Sequence, residues 1–241
     1  VKRFALHELH SYVWAYYDEY KKLGIEVSDN VKILNATNPN LETLRRSIVP
    51  TQLCQVKLNT SYASDFGVFE IGRVVEGLKE DGLCNERKKL TVTLFSKTES
   101  IKDLYFRLRN IIAVAMNEIK HKEISFSKLE AAYGYQHPKN LNAIVCDGIN
   151  LGEIGIVHPA VSKKIDKKAA IVFAEIDIDA LANVGAERIK YVEPSRFPGM
   201  EQDLTFMAET YAPIKAAIDA ANSPLVNKVA VVGTYTDENG K

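Results

Sequence analysis

The chain has 241 residues, 46% of them apolar, enough for one large globular domain or a domain and a half. Its 31 basic and 31 acidic residues cancel, which argues against a surface that grips nucleic acid everywhere but leaves room for a local basic patch. Three widely spaced cysteines argue against a disulfide framework or a CxxC zinc site and suit a reducing cytosol, and no apolar run is long enough for a membrane span or a signal peptide.

In chain order, Leu6, Leu9, Val13, Tyr16, Tyr20 and Leu23 recur at three- and four-residue spacing, as on one side of a helix. The next stretch, from Lys32 to Glu76, reads as strand, turn, helix, strand. Pro39 biases Asn38 to an extended or turn conformation. Pro50 suits a first helical position, and Leu53, Val56 and Leu58 give the helix an apolar side. Val68, Glu70, Gly72 and Val74 alternate with Phe69, Ile71, Arg73 and Val75 at the period of a strand.

Further along, Lys88–Ser96 is a strand by its β-branched alternation. Ile101–Ile119 is the clearest helix, with Ile101, Leu104, Leu108, Ile111, Ile112, Ala115, Met116 and Ile119 on one side. Leu141–Asp147, Gly148 and Asn150–Val157 read as a hairpin turning at Asp-Gly, and Ile171–Asp177 as a further strand. Near Tyr191 the texture changes, with Pro194 and Pro198 around a loop. Strand, helix and strand are then expected over Asp203–Ala208, Pro213–Ala221 and Val226–Tyr235, half of a βαββαβ ferredoxin-like domain. Val1 is not an initiator methionine, so the chain is expected to be a piece of a longer protein; for the missing second half of that last domain, either the chain is cut inside it or the segment is held by the core or by neighbours.

The order of residues in several of these stretches resembles the β subunit of bacterial phenylalanyl-tRNA synthetase. In that family an "NP" turn is followed by "LRxSLLPxLL" and then "LFEIGRVF". The counterparts here are Asn38-Pro39, the run Leu44 to Pro50, and the run Val68 to Val75. The run Leu151 to Pro159 is similar to the family's "GxIGELHP", and Ser195-Arg196-Phe197-Pro198 with Gln202-Asp203-Leu204 to its "SKFPxxxRDL". The resemblance implies an α+β fold. Residues 1–190 would be a class II synthetase-like, non-catalytic core with an antiparallel or mixed sheet flanked by helices. Residues 191–241 would be the first half of a ferredoxin-fold anticodon-binding domain. It also places a helix tail, a strand over about Glu8–Trp14 and a short helix around Asp18–Leu23, stopped at Gly24, where spacing alone suggested one helix.

An active class II enzyme grips ATP with an arginine and an acid on one strand and a second arginine in a "GxGxxR" segment. Here Glu70 and Arg73 lie on the corresponding strand, three apart and so on opposite faces, and no GxGxxR occurs. The expected catalytic set is therefore empty. Arg45, Glu70, Arg73 and His158 are assigned structural or interface roles. His7, His10 and His158 lack the convergent partners of a metal site, and no metal is expected. Asp177 and Asp179 read as helix-capping residues, and Lys163, Lys164, Lys167 and Lys168 as a solvated face with RNA backbone contact as the alternative. Any excess in the apolar stripe of the 101–119 helix would mark a subunit interface.

From the resemblance, Arg196, Phe197, Lys228 and Tyr235 are the candidates for contact with tRNA, by stacking and by backbone contact. Two positions depart from the family: Gln202 replaces a basic residue, and Gly233 stands where "FDxY" has its acid. The resemblance implies a cytoplasmic (αβ)2 assembly with a catalytic α subunit and tRNA(Phe). This segment would hold no cofactor, while the holoenzyme would use ATP and magnesium to charge tRNA with phenylalanine. Two other readings compete. One is a stand-alone class II-like regulatory or RNA-binding module. The other is a small-molecule hydrolase or transferase, which needs a polar pocket with paired acids that the sequence does not announce.

Overall fold

The computed structural model describes residues 2–26, 30–188, 190, 191, 193, 194, 196–221 and 223–235. The chain divides into two compact units, 1–190 and 191–241. The first is built on one seven-stranded sheet of order β1-β2-β3-β7-β6-β5-β4. Its strands are β1 (Leu6–Glu8), β2 (Asp65–Leu78), β3 (Cys84–Ser96), β4 (Ser125–Lys128), β5 (Gln136–Cys146), β6 (Ile149–Val157) and β7 (Ala170–Asp177). All neighbours are antiparallel except β1 and β2, so the sheet is mixed and the unit is α+β. The helices of this unit are α1 (Tyr17–Leu23), α2 (Val49–Asn59), α3 (Ile101–Lys120), α4 (Pro159–Ile165) and α5 (Ile178–Asn183).

Both faces of the sheet are covered, so its central strands are nearly continuous apolar runs. Val172, Ala174 and Ile176 of β7 face a core with Leu104, Leu108, Ile112 and Met116 of α3. Ile171 and Phe173, one residue out of phase, face the other core with Tyr20 of α1, Leu53 and Val56 of α2, and Val161 of α4. The period-2 reading of β7 and the period-3.6 reading of α3 therefore describe the same packed layer from its two sides.

Local signals set the element ends. Ser100 caps α3, its Oγ accepting from the Asp103 N–H at 3.1 Å. Replacing it by alanine is expected to cost about 1 kcal/mol in urea unfolding; no change would mean that the first turn is held by packing alone. Pro50 lies in the first turn of α2, α1 ends at Gly24, and Asp147 and Gly148 both take positive φ in the β5–β6 turn, as a two-residue hairpin requires.

Several expectations are corrected. The first strand is Leu6–Glu8, not Glu8–Trp14. After Leu9 the backbone leaves the sheet, because the Val13 carbonyl accepts from Arg45 N–H and Ala15 N–H donates to Thr43, which ties 13–15 to the loop before α2. The strand expected at Lys32 is reduced to an isolated bridge with Thr43. Leu58 points to solvent, since it lies five residues past the buried Leu53, about 140° around the helix.

The second unit has α6 (Ala212–Ala221) where a helix was expected. No strand forms over 203–208 or 226–235. Strand-like composition makes a strand only where a neighbouring segment supplies the other half of a hydrogen-bonded ladder. Among the described residues, no helix is long and apolar enough to cross a membrane.

Candidate functional site

The polar residues of the sheet are not scattered. Read across the strands in register, Glu70 of β2 lies opposite Thr91 of β3, Thr91 opposite Glu175 of β7, and Glu175 opposite Glu153 of β6. These residues point to the face that carries α2. Three carboxylates thus stand in one row beneath the start of that helix, each held differently.

Glu70 is the most enclosed. It and Arg45 are each 2% exposed, with Arg45 Nη2 donating to Glu70 Oε1 at 2.8 Å. Arg45 Nη1 donates to Ser11 Oγ at 2.6 Å and Nε to the Arg73 carbonyl at 3.0 Å. Ser11 Oγ lies 2.7 and 2.8 Å from the two Glu70 carboxylate oxygens. This bolt joins the segment after β1, the loop before α2, and β2. It fits only because residue 72 has no side chain: a Cβ there would lie 2.4 Å from Arg45 Nη2. Arg73 leaves the opposite face of β2, is exposed, and pairs with Glu86 at 2.8 Å.

Glu175 caps α2 from outside the helix. Its Oε1 accepts from Ile48 N–H at 2.8 Å, Ser47 Oγ at 3.0 Å and Thr91 Oγ1 at 3.0 Å. The cap position itself is Ile48, whose side chain cannot accept, so a carboxylate from β7 does the work of a capping residue. Lys89 Nζ lies between Glu175 Oε2 at 3.4 Å and Glu76 Oε1 at 2.8 Å.

Among the described residues Glu153 has no ion-pair partner of its own. Gln136 Nε2 donates to its two oxygens at 2.7 and 2.8 Å, and the Gln136 carbonyl oxygen in turn accepts from Ala132 and Tyr133 N–H. Burial, with the negative Glu175 opposite, pushes its carboxyl up to about 7. Gly152 beside it is required by backbone approach, because a Cβ would lie 2.0 Å from the Glu175 carbonyl oxygen at a φ of +147°. Glu153, Glu175, Lys89, Glu76, Arg46 and Tyr133 all line a cleft of about 260 Å³.

Glu153 and Glu175 were not singled out from the sequence. Their signal is a lone acid at an inward position of a strand otherwise apolar, as in Phe-Ala-Glu-Ile and Gly-Glu-Ile. His158 caps α4 through Nδ1, which accepts from Ala160 N–H at 3.1 Å, with the His137 ring 6.4 Å away. His7 and His10 are exposed. Asp177 caps α5 by accepting from Ala180 N–H, whereas Asp179 accepts from Lys88 N–H. Among the described residues no group of three or more His, Cys, Asp or Glu could hold a metal ion. In the second unit Arg196 pairs with Glu193 at 3.0 Å, Lys228 is exposed, and the Phe197 and Tyr235 side chains are 84% and 89% exposed.

The sequence of this sheet and its helices, from residue 2 to residue 178, matches the family model described as the phenylalanyl tRNA synthetase beta chain CLM domain. The chain belongs to the phenylalanyl-tRNA synthetase β chain family. It is 28% identical over 230 residues to the phenylalanine–tRNA ligase beta subunit of Protochlamydia amoebophila, covering 90% of this chain and 28% of that protein. The corresponding protein of Geobacillus kaustophilus is 25% identical over 239 residues, with 90% and 28% covered. That of Listeria innocua is 28% identical over 176 residues, with 69% and 21% covered. The chain therefore spans less than a third of the length of these curated relatives. The matched residues include the Arg45 loop and strands β2, β3, β6 and β7, which carry the polar row.

Proposed function

We propose that residues 1–190 are the class II-like, non-catalytic core of a phenylalanine–tRNA ligase β subunit, which holds a catalytic α subunit in place. The residues from 191 onward would open a ferredoxin-like domain that contributes to binding the anticodon region of tRNA(Phe). One observation carries the first part. The acid on β2 that a class II enzyme would turn toward ATP is consumed by Arg45 and Ser11 in the interior, and Arg73 leaves by the opposite face. A guanidinium locked in a 2%-exposed pair cannot clamp a triphosphate.

On this reading the holoenzyme is an (αβ)2 tetramer that activates phenylalanine with ATP and magnesium on α and transfers it to tRNA. The β core contributes position rather than chemistry. Ile119, at the end of the α3 stripe, stays 56% exposed, which supports a protein contact there. The exposure of Phe197 and Tyr235, with Arg196 and Lys228 in the same unit, supports a stacking and backbone-binding role in RNA recognition.

The test is ATP–pyrophosphate exchange with phenylalanine, measured on the chain alone and after co-expression with a bacterial α subunit. No exchange by the chain alone and co-purification with α are expected. Exchange by the isolated chain overturns the non-catalytic reading. Tight RNA binding without α capture would instead make this a stand-alone RNA-binding module.

A further inference from the structure

We infer that Lys89 is a proton-operated latch: loss of the proton from Glu153 draws its ammonium away from Glu76 and leaves Glu76 to close on Arg87. This does not depend on the scaffolding role. The β2–β3 hairpin runs past the rest of the sheet, because β7 pairs with β3 only over Lys89–Ser96 and β1 with β2 only over Gly67–Phe69. The arm beyond, residues 74–88, is tied back by Val75 N–H to the Arg45 carbonyl at 2.8 Å, by Lys88 N–H to Asp179 at 3.1 Å, and by charged side chains. The register of β2 against β3 shifts between Val75 and Leu78, and Glu76 lies in that irregularity and lines the cleft.

At the base of this arm the charges form a chain with one unmade bond. Lys89 Nζ lies 2.8 Å from Glu76 Oε1 and 3.4 Å from Glu175 Oε2, and Glu175 stands directly opposite Glu153. On the other side of Glu76 stands Arg87, its Nε 3.8 Å from Glu76 Oε2 and 3.4 Å from Asp177 Oδ2. Both separations exceed the usual length of an N–H···O hydrogen bond. The Arg87 side chain is 41% exposed, yet its Nε is buried and has no hydrogen-bond partner among the described residues. Native interiors rarely leave such a donor unmatched, because it carries its desolvation cost. Here it waits beside a carboxylate that another cation holds.

With Glu153 protonated, Lys89 serves two carboxylates, Glu76 and Glu175. Once the Glu153 proton leaves for solvent, three carboxylates compete for one ammonium, and two of them face each other across β6 and β7. Attraction to both favours a position between Glu153 and Glu175, and the flexible lysine stem permits the move. Glu76 then turns to Arg87 Nε and makes the missing charge-assisted bond. Every carboxylate keeps a cation in both arrangements. Burial and the facing Glu175 hold the Glu153 carboxyl up to about 7, so the exchange falls near neutral pH. The other groups that face Glu153 are Gln136 from β5, Lys89 from β3 and the Tyr135 phenol, which burial keeps neutral. Arg46, Glu76 and Asp177 line the same cleft.

The experiment is an NMR titration of the 241-residue chain across neutral pH, following the Glu153 carboxyl, the Lys89 ammonium and the Arg87 Nε–H. The three are expected to shift together with one midpoint at or below about 7. Solvent exchange of an unbonded guanidinium N–H speeds up as pH rises. The Arg87 Nε–H should instead gain protection, by about tenfold once intrinsic exchange is allowed for, as it acquires its bond. These readouts need no variant to fold. In Glu153→Gln the Lys89 and Arg87 responses should both vanish. In Glu76→Gln the Lys89 response should remain while the Arg87 response is lost, which separates a change of partner from a field felt at a distance. The proposal is overturned if Arg87 Nε–H gains no protection while Glu153 titrates, or if Glu153 does not titrate near neutral pH. It is equally overturned by an Arg87 response that survives either substitution. None of these readouts involves an α subunit or exchange activity with ATP, so failure here leaves the scaffolding reading standing.

Discussion

Glu70→Gln is expected to destabilise the first unit by about 3–5 kcal/mol in urea unfolding at neutral pH, a large part of the stability of an ordinary domain. The substitution keeps the shape of the side chain but leaves the Arg45 guanidinium buried at 2% exposure without a counter-charge. Arginine cannot relieve this by losing its proton. The reciprocal change behaves differently. In Arg45→Met the orphaned group is a carboxylate, which can take up a proton and become neutral. Arg45→Met should therefore be less damaging than Glu70→Gln, and its deficit should shrink as pH falls. Replacing both partners, as Arg45→Met with Glu70→Leu, should recover much of the loss, because the desolvation of both charges disappears with their attraction. Urea midpoints of the three variants at two pH values check the set. A Glu70→Gln cost below about 1 kcal/mol would mean that the pair is more hydrated than its burial indicates.

What could be read in the sequence follows from how local each cause is. Pro50, Gly24 and Asp147-Gly148 act within a few residues, and the elements they bound lie where expected. The α3 stripe was equally plain, since helical spacing is a local pattern. The misplacement of β1 has a non-local cause. Residues 13–15 are drawn away by hydrogen bonds to 43–45, and β1 finds its parallel partner in β2 some sixty positions later. The fate of Glu70 is of the same kind. Its distance from Arg73 on the strand was readable, but its partners Arg45 and Ser11 come from two other segments. Glu175 and Glu153 were passed over because an acid in a strand looks like a solvent-facing residue until the sheet is covered on both faces. The segments 203–208 and 226–235 show the converse. Their β-rich composition is real, but a strand exists only once a neighbour supplies the other half of its ladder.

Glu153→Gln should make the protein more stable at pH 8 and leave it nearly unchanged near pH 5. In the folded chain the Glu153 carboxyl titrates at about 7, raised by burial and then by Glu175 across the strand pair. The groups that face it are Glu175 from β7, Gln136 from β5 and Lys89 from β3; the latter two pull the other way without overcoming the burial. In the unfolded chain the same carboxyl titrates near 4.5. Between these values the folded state binds the extra proton. The slope of stability with pH is therefore negative, and stability contributed below about 4.5 is lost as pH rises through about 7. The full loss is on the order of 3 kcal/mol. Glutamine has nothing to ionise and keeps an oxygen for the Gln136 amide, so its curve should lack this fall. Urea midpoints at pH 5, 6, 7 and 8 should converge at the acid end and separate toward the alkaline end. Parallel curves would show that a cation already neutralises Glu153 in the folded protein.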